Sequence, residues 1–235
     1  MSALVDVAAS VLLSNERRIE TIAQNIANLQ SFGYKSQKMK NVSSVEAKPF
    51  SQVLSETVVG ADFSQGRLIQ TSNSTDLAIS GRGAFLVRRG EELVFTRNGG
   101  FTVLGDGVLV NSEGMVLQQV GGGDLVVPNS PLQVKEDGTV VSEGRVVGAI
   151  GLYEPDAKGF ISNPGGGYTD AGATPVADGE TIVRQGMREA SNVVLSDEMV
   201  NLMAASRLAE SGAQVMRQYD NLLGQAISTF SGTGR

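Results

Sequence analysis

Apolar positions near the start of the chain recur at alternating intervals of three and four residues. Val5, Ala8, Leu12, Asn15, Ile19, Ile22, Ile26 and Leu29 form one line in which only Asn15 is polar. This spacing predicts an amphipathic helix over roughly residues 3 to 30, about 42 Å long at ~1.5 Å per residue. The C-terminal segment steps in the same way through Met199, Leu202, Ser206, Ala209, Ala213, Met216, Asp220, Leu223, Ile227 and Phe230. Ser196 is placed to cap that second helix, with Asp197 and Glu198 favourable to its dipole. Small side chains at Ser206, Ala209 and Ala213 keep the middle of the line thin enough for close helix approach. Asp220 breaks the pattern: either it fixes register at a cost in stability, or the line shifts there. Stripes this narrow suit a coiled-coil contact, although helices packed on a globular core give the same periodicity.

Between these ends the pattern changes. Of 29 glycines, 24 lie between Gly60 and Gly186, and all six prolines lie between Pro49 and Pro175. Both residues disfavour helix interiors, by roughly 1 and 3 kcal/mol relative to Ala. Short β-branched runs alternate with turns, as in AFLVRRG, ELVFTRNGG, FTVLGDG, VLVNSEG, LQVKEDG and TVVSEG. Asp106-Gly107 and Asp137-Gly138 are two-residue hairpin signals, and the turn spacing predicts a compact antiparallel sheet or small barrel. Pro128 and Pro131 fit a loop or sheet edge. Residues 36–70 and 162–180 are weakly patterned and read as linkers or long loops. The expected organisation is α+β: an N-terminal helical segment (1–35), a linker (36–70), a β-rich antiparallel domain (71–185) and a C-terminal helical segment (186–235).

Composition narrows the chemistry. Cys and His are both absent, which removes disulfides, thiol catalysis, imidazole acid–base work and the usual zinc ligands. No Asp-rich loop has calcium spacing. A net charge of −6 argues against nucleic-acid binding. The cluster Lys35, Lys38 and Lys40 is a local exception and reads as a solvated face. No apolar run approaches the roughly 20 residues of a membrane span. The opening MSALVDVAASVLLSNERR lacks a basic n-region and continues its pattern past Arg18, so it reads as helix and not as a cleaved signal. The Gly-rich stretches lack the residues of a phosphate loop, and Ser has no His partner or Ser-x-x-Lys context. Carboxylate pairs such as Glu91-Glu92 and Glu136-Asp137 sit at turns. No enzyme, cofactor or metal site is expected.

The run Asn25-Ile26-Ala27-Asn28, followed by Ser31, Gly33-Tyr34-Lys35, resembles the N-terminal motif of bacterial flagellar rod and hook proteins, with Ser31 in place of the usual Thr. Gln185-Gly186, Glu189, Ser191-Asn192-Val193, Glu198-Met199-Val200, Arg207 and Glu210 are similar to the C-terminal motif. Asp76-Leu77-Ala78-Ile79, Gly81, Gly83, Phe85, Val87, Phe95-Thr96-Arg97-Asn98-Gly99 and Phe101, then Leu109-Val110 and Gly114, resemble the entry to the β-domain. The likeness covers most of the chain in order. Residues 38–60 lack the longer insert of the distal-rod branch, which favours the proximal-rod branch, with the distal-rod protein as the nearer alternative. A secreted glycan-binding module dimerising through its helices is the alternative from another class.

The resemblance implies a structural subunit of the basal-body rod, in the periplasmic space, delivered by the flagellar export apparatus without a cleaved signal. Its partners would be further copies of itself and sister subunits, with no nucleic acid and no membrane insertion. The terminal helices would pair as a coiled coil around the export channel, through Leu12, Ile19, Ile22, Asn25, Ile26, Asn28, Leu29, Gly33, Asn192, Met199, Leu202, Met216, Leu223 and Ile227. Two readings of Asn25 and Asn28 remain open: a local helix C-cap, or hydrogen bonds between subunits. Asn192 either organises the turn before Ser196 or takes part in assembly. Gly33 would let the chain turn toward the β-domain. Since a thin-striped helix gains its stability from tertiary contact, both ends are expected to fold as they dock.

Overall fold

The computed structural model describes residues 2–41, 57–128, 132–154, 161–162, 167–169, 172–176 and 181–232. The chain forms two compact units, one from residues 1–26, 39–58 and 194–235 and the other from 27–38 and 59–193. Among the described residues there are two helices, α1 (Ser2–Ala27) and α2 (Leu195–Gly232), and the remainder is β-rich. The α+β class read from the sequence is therefore the observed one.

Helix α1 is free of Gly and Pro throughout, and its line of apolar positions from Leu12 to Ile26 lies on its shielded side. Asn15 and Ile22 are buried, Leu12, Ile19 and Ile26 are half-buried, and most of their neighbours from residue 11 onward are exposed. Helix α2 begins one residue earlier than its predicted cap. The carbonyl of Val194 accepts from the N–H groups of Asp197 and Glu198, both at 3.1 Å, so Val194 occupies the capping position. Ser196 lies inside the first turn, its hydroxyl 3.4 Å from Asp197 Oδ1.

The shielded side of α2 also differs from the predicted line. It runs through Glu198, Leu202, Ala205, Ala209, Gly212, Met216 and Tyr219, while Met199, Ser206 and Asp220 are exposed. The line shares Leu202, Ala209 and Met216 with the prediction but takes the preceding residue at every other step. Asp220 is thus a solvated residue, and Tyr219 fills the place it seemed to spoil. The side chains of Leu223 and Ile227 lie outside the described residues.

The strands of the β-rich part are β1 (Gln37–Asn41), β2 (Thr57–Ala61), β3 (Leu68–Gln70), β4 (Leu77–Ser80), β5 (Ala84–Arg89), β6 (Glu92–Thr96), β7 (Phe101–Val103), β8 (Leu109–Asn111) and β9 (Val116–Leu117). They continue with β10 (Leu132–Val134), β11 (Thr139–Ser142), β12 (Arg145–Ala149), β13 (Leu152–Glu154), β14 (Ile161–Ser162), β15 (Tyr168–Thr169), β16 (Thr174–Pro175), β17 (Ile182–Gln185) and β18 (Met187–Glu189). The largest sheet runs β14-β15-β6-β5-β9-β8-β7, with β13 and β16 attached through β5. A second sheet is β10-β11-β12, and three pairs, β1-β2, β4-β17 and β3-β18, complete the set. The stretches 36–70 and 162–180, weakly patterned in sequence, hold β1 to β3 and β15 to β16. Short strands with few apolar residues carry little periodic signal, which is why the pattern passes over them.

Strand β5 organises the packing because it is buried on both faces. Phe85 and Val87 join the main core with Leu77, Ile79, Val94, Phe101, Leu109, Met115, Leu117, Leu125 and Ile150. Ala84 and Leu86, pointing the other way, join Ala61, Phe95 and Tyr168 in a second cluster. The period-two alternation of a strand thus serves two cores at once, and each large apolar side chain sealed there is worth roughly 1.5–3 kcal/mol.

Both Asp-Gly turns have one more residue than predicted. Gly107 N–H donates to Leu104 O at 2.9 Å and Gly138 N–H to Lys135 O at 3.0 Å, while the N–H groups of Leu104 and Lys135 donate the closing bonds to the carbonyls of Val108 and Thr139. Gly107 and Gly138 both have positive φ, at 85° and 83°. These are three-residue loops ending in a left-handed glycine, and Asn111 to Met115 repeats the design around Gly114. The aspartate carboxylate accepting from the residue two ahead favours this form, as Asp137 Oδ1 does from Thr139 N–H at 2.8 Å. Two-residue hairpins occur instead at Gly90-Glu91, where Arg89 pairs with Glu92, and at Glu143-Gly144, where Ser142 pairs with Arg145.

Two glycines give contrasting expectations. A Cβ on Gly99 would sit 1.7 Å from Leu77 O, whereas one on Gly90 would meet nothing within 4 Å. Gly90→Ala should cost about 1 kcal/mol for its positive φ, measured by urea unfolding, while Gly99→Ala should abolish the cooperative transition. Equal stability of the two variants would contradict this account.

Candidate functional site

Three segments far apart in sequence meet in the β-rich unit. The first is Gly33 to Ser36, after α1. Helix α1 stops at Ala27, and Ser31 N–H then bonds Asn28 O at 3.1 Å and Tyr34 N–H bonds Ser31 O at 3.3 Å, forming a compact turn. Ser31 Oγ also donates to Asn28 Oδ1 at 3.0 Å. Gly33 has φ +71°, and a Cβ there would lie 2.2 Å from the backbone nitrogen of Asn98. Only glycine permits both the left-handed turn and that approach. The second segment, Thr96 to Gly99, is what it approaches. The third is Glu189 to Asn192, which begins on the last residue of β18.

Glu189 is the shared partner. Lys35 Nζ lies 2.6 Å from Glu189 Oε1 and Arg97 Nη1 lies 3.0 Å from Oε2, and all three side chains are fully buried. Gly66 N–H donates to Oε1 at 2.7 Å. The backbone takes part as well: Gly33 N–H donates to Glu189 O at 2.7 Å. Arg97 spends its remaining donors on the carbonyls of Gly81, at 2.7 Å, and Gly83. Lys35 Nζ donates to Ser64 O at 2.8 Å, and its backbone N–H to Tyr168 Oη at 3.1 Å. One carboxylate faces two cations, so the cluster holds a net positive charge in the interior. Burial lowers the pKa of Lys35 despite the attraction of Glu189, and lowers that of Arg97 in the same way. Burial likewise raises that of the Tyr168 phenol.

Asn192 closes the same region. Its Oδ1 accepts from Ser36 N–H at 2.7 Å, and its Nδ2 donates to Asp62 O at 2.8 Å and Ser64 O at 3.0 Å. Arg188 lies over the Phe32 ring, 3.9 Å from the centroid. At the rim, Lys38 pairs with Asp62 at 2.6 Å. Burial works against the charge on Asp62, but the hydrogen bonds from Lys38 and Ser64 prevail and hold its carboxyl below the ordinary range.

The two helices touch within their own unit. Asn15 Nδ2 donates to Ala205 O and Asn25 Nδ2 to Glu198 Oε1, each at 2.9 Å. A Cβ on Gly212 would meet Leu12 Cδ2 at 2.8 Å. Rising residue numbers in α1 meet falling numbers in α2, so the contacts are antiparallel. Asn15 Oδ1 is buried with no partner among the described residues; a polar group so placed penalises slipped registers.

Of the residues singled out by sequence, Leu12 and Asn25 lie in these helix contacts, and Ile22 is buried on the same side of α1. Leu202 and Met216 are half-buried on the facing side of α2, and Met199 is 47% exposed. Asn28, Leu29, Gly33 and Asn192 belong to the β-rich unit, where Gly33 and Asn192 tie its incoming and outgoing segments together. Lys35 corrects the solvated-face reading: it is sealed against Glu189, while Lys38 is exposed as expected. The signal was present. Lys35, Arg97 and Glu189 each stand inside one of the three motif regions.

Among the described residues there is no acidic cluster fit for a metal, and no helix is long and apolar enough to cross a membrane. The cluster is a fastening, with every donor and acceptor of Glu189 directed at structure. Glu189→Gln should therefore cost about 3–5 kcal/mol by leaving two buried cations uncompensated. Lys35→Met leaves one cation with one carboxylate and should cost about 1 kcal/mol. Chemical denaturation of both variants measures the order, and a Lys35→Met variant less stable than Glu189→Gln would refute the charge balance described.

The family description "Flagellar hook protein FlgE/F/G D1 domain" matches residues 78–146, and "Flagellar basal body rod FlgEFG protein C-terminal" matches residues 184–229. A flagellar basal-body rod protein FlgF of Caulobacter vibrioides is 32% identical over 94% of this chain and 95% of its own. The FlgF of Mesorhizobium japonicum is 32% identical over 95% of this chain and 96% of its own. A FlgG of Borreliella burgdorferi is 28% identical over 93% of this chain and 95% of its own. With 32% identity to FlgF proteins over nearly the whole of both chains, the chain belongs to the flagellar basal-body rod protein family, a family of structural proteins and not of enzymes.

Proposed function

We propose that the chain is a structural subunit of the proximal rod, assembling with copies of itself and with sister rod subunits. The observation that carries this reading is the antiparallel contact of α1 with α2, placed in a chain whose relatives are rod proteins along nearly their whole length. FlgF-named relatives at 29–32% identity stand above the FlgG-named ones at 23–28%, which supports the proximal branch over the distal one. The glycan-binding alternative gains nothing from these relatives.

In this reading α1 and α2 pair as a coiled coil. The seam through Leu12, Ile19, Ile22, Ile26, Leu202 and Met216, with Asn25, Asn28, Leu29, Gly33, Asn192, Met199, Leu223 and Ile227 around it, serves assembly. Segments 1–35 and 186–235 surround the export conduit, and the β-domain stands outside them in the periplasmic space. The chain reaches that place through the flagellar export apparatus with its first helix uncleaved. Its work is mechanical: head-to-tail contacts build an open helical stack, and the stack transmits torque.

Two measurements test the proposal. Tagged chain expressed in its own bacterium should co-purify with isolated basal bodies, and Ile22→Asp should remove it from them while the purified variant keeps its β-rich fold; exclusion of the unaltered chain from basal bodies would end the rod reading. Dilute monomer should be trimmed by protease to a core near residues 60–185 with little loss of helical signal by circular dichroism. Resistant, strongly helical ends at low concentration would instead show that the helices fold before docking.

A further inference from the structure

The β-rich unit holds a cavity of about 580 Å³ whose walls include residues that anchor the Glu189 cluster. Small-molecule sites run from about 300 to 1,000 Å³. Most of the polar lining is already engaged. The carbonyls of Gly81 and Gly83 accept from Arg97, and Ser64 gives its carbonyl to Lys35 and its hydroxyl oxygen to Asn192. The Gln65 amide accepts from Gly81 N–H at 3.3 Å and donates to Ile79 O at 3.1 Å. Two charged side chains remain, Arg82 and Glu154. Among the described residues neither forms an ion pair, with the other or with any third group. Glu154 Oε1 is moreover buried with no hydrogen-bond partner among the described residues, a costly and uncommon state for a carboxylate.

The backbone positions these two charges separately. Arg82 stands between two glycines with positive φ, 120° and 92°, and its own carbonyl accepts from Thr181 Oγ1 at 3.0 Å. Glu154 is fixed on β13 opposite Thr174 of β16. The cavity thus has a positive pole at the exposed Arg82, a negative pole at Glu154 and an apolar wall at the Phe63 ring. A lone cation entering it would add to the net positive charge already buried at Lys35, Arg97 and Glu189. A lone anion would face Glu154. A ligand carrying both charges satisfies both poles and leaves the total unchanged. We propose that the cavity binds a zwitterionic amino acid or short peptide, its ammonium on Glu154, its carboxylate on Arg82 and an apolar side chain against Phe63. The planar fork of Arg suits a carboxylate, to which it can donate two parallel hydrogen bonds. Nothing in this binding depends on the rod reading.

The test titrates the full-length, ¹⁵N-labelled chain with alanyl-leucine, N-acetyl-alanyl-leucine, alanyl-leucine amide and free leucine. The amide resonances of Gly81 and Gly83 should shift saturably with alanyl-leucine, and blocking either of its charged ends should weaken binding about tenfold. Leucine binding as tightly as the dipeptide would assign the site to free amino acids, and a dipeptide preference would assign it to peptides. Glu154→Gln should weaken alanyl-leucine about tenfold and erase its advantage over the N-acetyl form, while keeping its advantage over the amide. Arg82→Gln should do the reverse. If Glu154→Gln does not fold, the exposed Arg82→Gln and the ranking of the four probes on the unaltered chain decide alone. Absence of saturable binding, equal affinity for the blocked and unblocked dipeptides, or shifts that leave Gly81 and Gly83 unmoved would each overturn the proposal. Any of these results with the unaltered chain still present in isolated basal bodies would remove the ligand site and leave the rod reading standing.

Discussion

The fully buried carboxylate of Glu189, held by Lys35 and Arg97, is the constraint around which the rest of the β-rich unit is arranged. Removing three charged groups from water is expensive, and the attraction between them offsets that cost only with close geometry and complete hydrogen bonding. Distances of 2.6 and 3.0 Å, with Gly66 N–H as a further donor, meet that condition. The consequence is selectivity more than raw stability. Any arrangement that separates the segment after α1 from the end of β18 strands an ion in a dry interior. Gly33, Gly66 and Gly99 are glycines because the segments holding the charges must lie backbone against backbone.

The two-faced burial of β5 serves the same end. Its alternating side chains close one core beneath the sheet and a second around Phe95 and Tyr168, and Tyr168 in turn accepts from the backbone of Lys35. The apolar packing and the charge cluster therefore support each other at a shared boundary. This is how a chain with few aromatic residues holds a fixed exit for both of its ends.

Much of this was legible in the chain itself. Apolar periodicity marked α1 and its shielded side, and Asp-Gly pairs marked real hairpins. What periodicity could not reveal was depth. Lys35, grouped with Lys38 and Lys40, looked like a surface lysine, because burial of a charge depends on a partner 154 residues away. The line along α2 differs from its periodic expectation by one residue at alternate steps, since Met199 and Ser206 fit an apolar or small pattern as well as Ala205 does. Only the contacts with Asn15 and Leu12 choose between those lines. The three-residue loops differ from the two-residue ones by a single extra position that composition alone does not encode.

The meeting of both exits at Glu189 also determines how the unit bears load. Tension entering near Gly33 and Lys35, or leaving near Asn192, meets the bonds of Glu189 and of Asn192 together. The Lys35 ion pair, the Gly33 N–H bond to the Glu189 carbonyl and the Ser36 N–H bond to Asn192 span the two segments side by side. Fastenings loaded in parallel yield together at a high force, whereas a zipper opens one tooth at a time at a low one. A part that must turn without creeping is better built with the first kind of joint.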